Sequence, residues 1–171
     1  MKPLLFLLIT LIAFNPIDLE KRTILDGKIE ILIPADFKQM SPEMLDIKYR
    51  GQNRPSLVFT DANGTVNIAF NLLPNLANES NIESYKNSIK ASFEKSFPNA
   101  EWKGEGVKVI NGRKVGYIKL VTEAIDQKVY NSLFITHCNG KLLIGTFNCI
   151  TVLLPDWKSP SEEIIQSLKL K

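Results

Sequence analysis

One dipeptide, Asn139-Gly140, constrains the fold of this chain more than any other feature. It separates two apolar runs, residues 130–138 and 141–148. A type I′ turn needs positive φ at both central residues, which Gly adopts freely and Asn more readily than most residues. The sequence therefore predicts a tight β-hairpin. Neither run alternates between apolar and polar residues, so both strands are expected in the middle of a sheet, with other elements packed on both faces.

Two further Asn-Gly pairs, Asn63-Gly64 and Asn111-Gly112, predict two more reversals of the chain. Strands joined by such tight turns run antiparallel, so the sheet is predicted to be predominantly antiparallel. Besides the two strands of the first hairpin, the predicted strands span residues 28–33, 56–60, 65–72, 107–110 and 114–122.

Helix-start signals predict three helices, a short one over 42–48, a long one over 81–97 and a last one that begins at 160. Ser41 is the expected N-cap of the first helix, Ser80 and Glu83 form an expected capping box for the second, and Ser159 precedes Pro160 in the third. The apolar residues of the long helix fall on one side. Together with a sheet that is apolar on both faces, these helices predict a three-layer α/β/α sandwich.

The first residues differ in composition from the rest of the 171-residue chain. Lys2 precedes an uncharged apolar run, residues 4–14, and Pro16 follows it. A membrane-spanning helix needs about 20 apolar residues, whereas a charged start and a short apolar centre are typical of a secretory signal peptide. We therefore predict a signal peptide and linker over 1–18, one domain over 19–171, and export to the periplasm or the extracellular space. An uncleaved N-terminal anchor, which would be the domain's only membrane contact, and a cytosolic N-terminal helix are the alternatives.

The charges of the chain do not favour a nucleic-acid partner. The 21 Lys and Arg residues are interspersed with 18 Asp and Glu residues, and the formal net charge is +3. A nucleic-acid groove usually carries a concentrated basic stripe.

Two cysteines can be placed by the predicted hairpin. With the turn at 139–140, Cys138 lies opposite Lys141 and Cys149 opposite Tyr130, about 25 Å apart along the strands. A disulfide needs Cα atoms within about 7 Å. Both cysteines are therefore predicted to be free and to fill the core.

The chain has one histidine, His137. We predict no catalytic, cofactor-binding or metal-binding residue. Cys138 follows His137 directly, and neighbouring strand residues point to opposite faces, which disfavours a Cys-His dyad. A single His with two distant Cys residues does not supply the usual zinc ligands. Residues 61–65 resemble the start of a calcium loop but lack its later acidic ligands, so a hairpin turn explains them better.

A polar face on the strand 65–72 is the candidate partner surface. Thr65, Asn67 and Asn71 alternate with Val66, Ile68 and Phe70, so their side chains point to the opposite face. If the helices leave this face uncovered, its amide groups suit a peptide or a protein. The alternative is a solvated edge of the sheet.

Several stretches resemble small bacterial proteins of the PsbP-like superfamily, and the likeness covers nearly all of the chain after the leader. The resemblance rests on NRPSLVFTDANGTVNIAFN at 53–71, FPNAEW at 97–102, VKVINGRKVGYI at 107–118 and LFITHCNGKLLIGTFNC at 133–149. It implies an α/β/α sandwich that binds proteins, because the superfamily includes the PsbP subunit of the oxygen-evolving complex, a Ran-binding nuclear import factor and chaperones of secreted toxins. It implies no particular functional residue.

The predicted function is that of an exported, non-enzymatic binding or accessory module for another protein. An immunity protein to a secreted toxin, or a hydrolase whose polar groups converge only in the folded chain, are the alternatives. A cleft with His137 and a carboxylate within hydrogen-bonding distance would favour the hydrolase. A shallow sheet face without a titratable cluster would favour binding.

Overall fold

A computed structural model describes residues 17–49 and 54–171, so most of the predicted signal peptide lies outside the described residues. A 3₁₀ turn, Thr151–Leu153, precedes the last helix. The elements in chain order are β1 Leu19–Ile24, β2 Ile29–Pro34, β3 Lys38–Gln39, α1 Pro42–Lys48, β4 Leu57–Thr60, β5 Val66–Leu76, α2 Ile82–Ser96, β6 Glu101–Ile110, β7 Arg113–Glu123, β8 Lys128–Cys138, β9 Lys141–Ile150, α3 Leu154–Gln166 and β10 Lys169–Leu170.

The strands form two antiparallel sheets. The large sheet has the order β3-β4-β5-β9-β8-β7-β6, and the small sheet has the order β1-β2-β10. The predicted hairpin is confirmed, because Asn139 and Gly140 both have positive φ, 50° and 74°, and β9 occupies the centre of the large sheet. The predicted antiparallel α/β/α architecture is also confirmed, with the small sheet as an additional part of one outer layer.

One side of the large sheet, which we call the closed face, is covered by the small sheet and α3. Phe70, Phe134 and Phe147 of the large sheet share one continuous apolar cluster with Ile31 of β2 and Ile164 of α3. The Phe134 ring meets the Phe70 ring edge-on, with 6.1 Å between the ring centroids. Phe134 also lies directly over Gly145, where a Cβ atom would overlap the ring. The closed face is therefore tightly packed and specific in shape.

The other side, which we call the helical face, carries α1 and α2. Helix α2 packs on β7 and β8, where Ile89 and Phe93 join a cluster with Leu133. Helix α1 packs on β4 and β5, where Met44 covers Val58. These are two separate clusters, so the helical face is covered at two places rather than continuously.

The predicted positions of the cysteines are confirmed. Cys138 pairs with Lys141 and Cys149 pairs with Tyr130 in the β8–β9 ladder, and both thiols are free and buried on the closed face. Burial raises the pKa of Cys149 to about 12 and also raises the pKa of Cys138. A thiol of this kind is a poor nucleophile at neutral pH.

Three local predictions are wrong. Strand β1 was not among the predicted strands, because the polar residue Arg22 takes an inward position where an apolar residue would be expected. Its guanidinium donates to the Phe37 carbonyl at 2.9 Å. The Ser80–Glu83 capping box does not form, because Ser80 donates instead to the Asn78 side chain and Asn81 is the N-cap of α2.

The third error concerns α3, which begins at Leu154 and contains Pro160 inside the helix. Pro155 lies in its first turn, where proline is tolerated. The added turns place Trp157 between Phe37 and Phe147, at ring centroid distances of 5.5 and 5.8 Å. This packing on the closed face favours the longer helix despite the internal proline.

Candidate functional site

A strip of the large sheet lies between the two clusters of the helical face. Along β9 the buried residues of the closed face alternate with half-buried residues that point to the helical face. We call the strip the central trough and define it by five half-buried residues on β5, β8 and β9: Asn71, Asn131, Ile144, Thr146 and Asn148.

A row of polar side chains crosses the trough from strand to strand. Thr60, Asn67, Asn148 and Asn131 are successive cross-strand partners on β4, β5, β9 and β8. The Thr60 hydroxyl donates to Asn67 Oδ1 at 2.8 Å, and Asn67 Nδ2 donates to Asn148 Oδ1 at 2.9 Å. Because residues opposite one another share a face, this row is continuous across the middle of the sheet.

Two further side chains bond to members of the row. Tyr49, at the end of α1, is hydrogen-bonded to Asn148, and burial raises the pKa of Tyr49 although this hydrogen bond opposes the rise. At the β8 end of the row, Asn131 Nδ2 donates to Thr122 Oγ1 at 3.1 Å. The row is therefore covered by α1 on one side and half-exposed within the trough.

The candidate partner surface, Thr65, Asn67 and Asn71, is only partly accessible. Asn67 is 5% exposed, so the expectation that the helices leave this face uncovered is wrong there, because the cluster under α1 includes the neighbouring Ala69. Thr65 donates to Asp61 within the turn at 2.7 Å. Asn71 is half-buried and borders the trough, where its Oδ1 accepts a hydrogen bond from the Ser56 amide at 3.0 Å. A contact of these residues with a partner stays a prediction.

Sequence reasoning missed Asn131 and Asn148. The sequence contained part of the information needed to find them, because the register of the predicted hairpin places residues 131 and 148 opposite one another. What was not available locally is the pairing of β5 with β9, which brings Asn67 next to Asn148 across 81 residues of chain.

His137 has a carboxylate within hydrogen-bonding distance. Its Nε2 lies 3.0 Å from Glu79 Oε1, and the other oxygen of Glu79 accepts a hydrogen bond from the Lys114 amide at 2.8 Å. Burial acts to raise the pKa of Glu79, but the hydrogen bonds from Lys114 and His137 outweigh it and lower the pKa. Cys138, the neighbouring nucleophile, points to the closed face. The carboxylate expected beside His137 in a hydrolase is therefore present, but the pair links the loop before α2 to β7 and β8, and neither residue lines the concave region at the β3 end of the large sheet.

A concave region lies at the β3 end of the large sheet, with a volume of about 590 Å³. Its lining includes Asp36, Lys38, Met40, Met44, Thr60 and Asp61. The Asp61 carboxylate accepts hydrogen bonds from the Val66 amide and the Thr65 hydroxyl, as expected of a hairpin turn. Nowhere in the described part of the chain do three His, Cys, Asp or Glu side chains group as metal ligands would.

Three solved structures are similar to this chain over most of their length. Cyanobacterial PsbP (CyanoP) from Synechocystis sp. PCC 6803 has 13% identity and a TM-score of 0.65, over 93% of this chain and 96% of that chain. The Saccharomyces cerevisiae Ran-binding protein Mog1p has 10% identity and a TM-score of 0.54, over 90% and 96%. LpqN of Mycobacterium tuberculosis, involved in cell envelope biogenesis, has 10% identity and a TM-score of 0.55, over 90% and 91%.

No protein-family model and no curated protein sequence matches the chain. The structural matches show that it has the PsbP/Mog1-like fold, and they confirm the fold that the sequence motifs predicted. Within residues 17–49 and 54–171, no helix combines the length and the apolar character needed to cross a bilayer.

Proposed function

We propose that this chain is an exported, non-enzymatic module that binds a segment of another protein in the central trough. The observation that supports this most directly is the half-buried polar strip on β9. The middle of the helical face carries amide and hydroxyl groups between two helices, whereas the residues of β9 that point to the closed face are buried.

The chemistry of the trough suits a peptide better than a reaction. Its amide and hydroxyl groups both donate and accept hydrogen bonds, as a peptide backbone requires. At one end Ile144 packs with the cluster under α2 and offers an apolar contact. None of the five trough residues is titratable, so the trough contains no acid and base for hydrolysis.

The comparisons support the same class of function. Mog1p, which has the same fold, is a Ran-binding protein, and LpqN is involved in cell envelope biogenesis. Together with the charged and apolar start of the chain, the likeness to LpqN supports export of one domain that spans residues 19–171. A role as an immunity protein is a special case of this proposal, in which the bound protein is a toxin.

Photo-crosslinking in the native cells tests the proposal. p-Benzoylphenylalanine is placed at position 146 in the trough, or at position 152, where Val152 is exposed beyond the end of β9. We expect a protein adduct at position 146 that is missing at position 152. Adducts of equal yield at both positions, or none at 146 in a variant whose thermal unfolding matches the parent, would contradict a partner in the trough.

Cell fractionation tests the export part of the proposal separately. The full chain is expressed in its native cells, and the cell envelope, the medium and the cytosol are probed for it. We expect the protein outside the cytosol, and a purely cytosolic protein would contradict export.

A further inference from the structure

Strand β6 forms one end of the large sheet and has an unoccupied edge. It contains ten residues and pairs with β7 on one side, and in the described part of the chain no strand pairs with its other side. The opposite end of the sheet, β3, has only two residues. The outer edge of β6 therefore presents the longest row of backbone groups available for a further strand.

Only the second half of β6 is regular enough to accept a strand. The register against β7 shifts between Trp102 and Gly104, and such a bulge twists an edge and protects it from pairing. From Glu105 to Ile110 the register is continuous. These six residues match the usual length of a strand, about five to six residues, and an extended peptide can be added to such a sheet edge.

The two sides of this half carry different chemistry. On the side of the helical face lie Val107 and Val109, and Val109 is 71% exposed. On the side of the closed face lie Gly106, which has no side chain, and Lys108. The Lys108 ammonium lies 5.6 Å from the centroid of the Tyr117 ring. The edge therefore offers an apolar strip on one side and a cation on the other.

The charge of Lys108 is compensated only in part. No carboxylate lies within salt-bridge distance of it among the described residues, whereas the nearby Lys119 is paired with Glu162 at 2.8 Å. Burial and the charge of Lys119 both lower the pKa of Lys108, and Glu162 offsets them only in part. An anionic group that arrives from outside the edge would complement this charge.

We infer that the outer edge of β6 binds an extended segment of a partner protein as an eighth strand, in which acidic residues alternate with β-branched apolar residues. Directly opposite residues of paired strands share a face. An acidic residue would then lie opposite Lys108, and its apolar neighbours opposite Val107 and Val109. Helix α2 separates this edge from the central trough, since Lys86 and Lys90 of α2 are both bound to Glu105 of β6.

A labelled peptide, acetyl-Val-Asp-Val-Asp-Val-amide, is the probe for the full chain, and a peptide with Lys in place of both Asp residues is its control. We expect the acidic peptide to bind and the basic one not to bind. Lys108→Glu should weaken binding about fivefold, because it replaces an attraction by a repulsion. Lys141→Glu, at an exposed lysine beside the β8–β9 turn, should leave binding unchanged. Bound peptide should slow hydrogen exchange of the amides in 105–110.

Several results would overturn the inference. These are equal affinity for the two peptides, no binding of either, unchanged affinity in Lys108→Glu, or slowed exchange outside β6. A peptide-free dimer with protected β6 amides would show that a second copy occupies the edge, which also overturns it. This test is independent of the crosslinking test of the trough. Crosslinking at position 146 can succeed or fail whether or not the Lys108→Glu variant binds the peptide.

Discussion

The two faces of the large sheet are built from the same strands but differ in continuity. The closed face is one cluster that joins the large sheet to the small sheet and α3, whereas the helical face has two clusters with the central trough between them. Alternate residues of β9 belong to different faces, so Phe147 is fully buried while its neighbours Thr146 and Asn148 are half-buried. A sheet stabilised mainly from one side can carry polar groups on the other, where they remain available for binding.

The largest difference between the faces is expected at two adjacent residues of β9. Gly145→Ala should destabilise the protein by about 3 kcal/mol, because the added methyl group overlaps the Phe134 ring and the ring is held by Phe70. Thr146→Ala, one residue further and on the helical face, should change the free energy of unfolding by only about 0.5 kcal/mol. Urea denaturation of both variants measures the difference.

A double-mutant cycle assigns this effect to the ring. Phe134→Leu should be less harmful in the Gly145→Ala background than in the parent, because the smaller side chain leaves room for the methyl group. Strictly additive effects, or equal losses from the variants at 145 and 146, would mean that the closed face is no more tightly packed than the trough.

Features of the fold that depend on local signals were predictable. The Asn139-Gly140 turn determines the register of its hairpin, which is why the pairing of Tyr130 with Cys149 could be derived by counting residues. Local signals failed where a more distant group competed with them. In β1, the inward residue is Arg22, which bonds to a distant carbonyl, so the strand lacks an apolar pattern. Before α2, Ser80 bonds to the Asn78 side chain and does not cap the helix. In α3, aromatic packing around Trp157 favours a helix that begins before Pro160.

The trough was less predictable than the fold. Alternation in β5 correctly separates Asn67 and Asn71 from Phe70, but it does not show which part of that face a helix covers. That depends on α1 reaching back over β4 and β5 and on β9 pairing with β5, and no tight turn encodes either contact. Asn148 therefore could not be assigned to the same polar row from the sequence.

Two asparagines of β5 that point to the same face should also differ in their contribution to stability. Asn67→Ala should cost about 2 kcal/mol, because the substitution removes two buried hydrogen bonds, one with the Thr60 hydroxyl and one with the Asn148 side chain. Asn71→Ala should cost about 0.5 kcal/mol, since Asn71 is half-exposed and water can replace it. Denaturation curves of the two variants test whether the row is structural under α1 and dispensable at the border of the trough. A cost at Asn71 as large as that at Asn67 would make the border structural as well.

The smallest effect is expected at the rim of the large sheet, by which we mean the exposed residues at the start of β6, where neither face contributes packing. Glu101 of β6 accepts hydrogen bonds from Lys128 at 2.7 Å and Lys103 at 2.9 Å, and these lower its pKa from 4.5 to about 2. A carboxylate with a lowered pKa contributes stability above its ordinary pKa and loses that contribution as the pH falls, here between 4.5 and about 2. Glu101→Gln should therefore be slightly less stable than the parent at pH 7 and equal to it at pH 2, and high salt should reduce the difference at pH 7 because both partners are exposed. Thermal unfolding across this pH range measures the effect. A difference that persists at pH 2 and in salt would come from packing of the side chain, and the rim would then belong with the packed faces of the sheet.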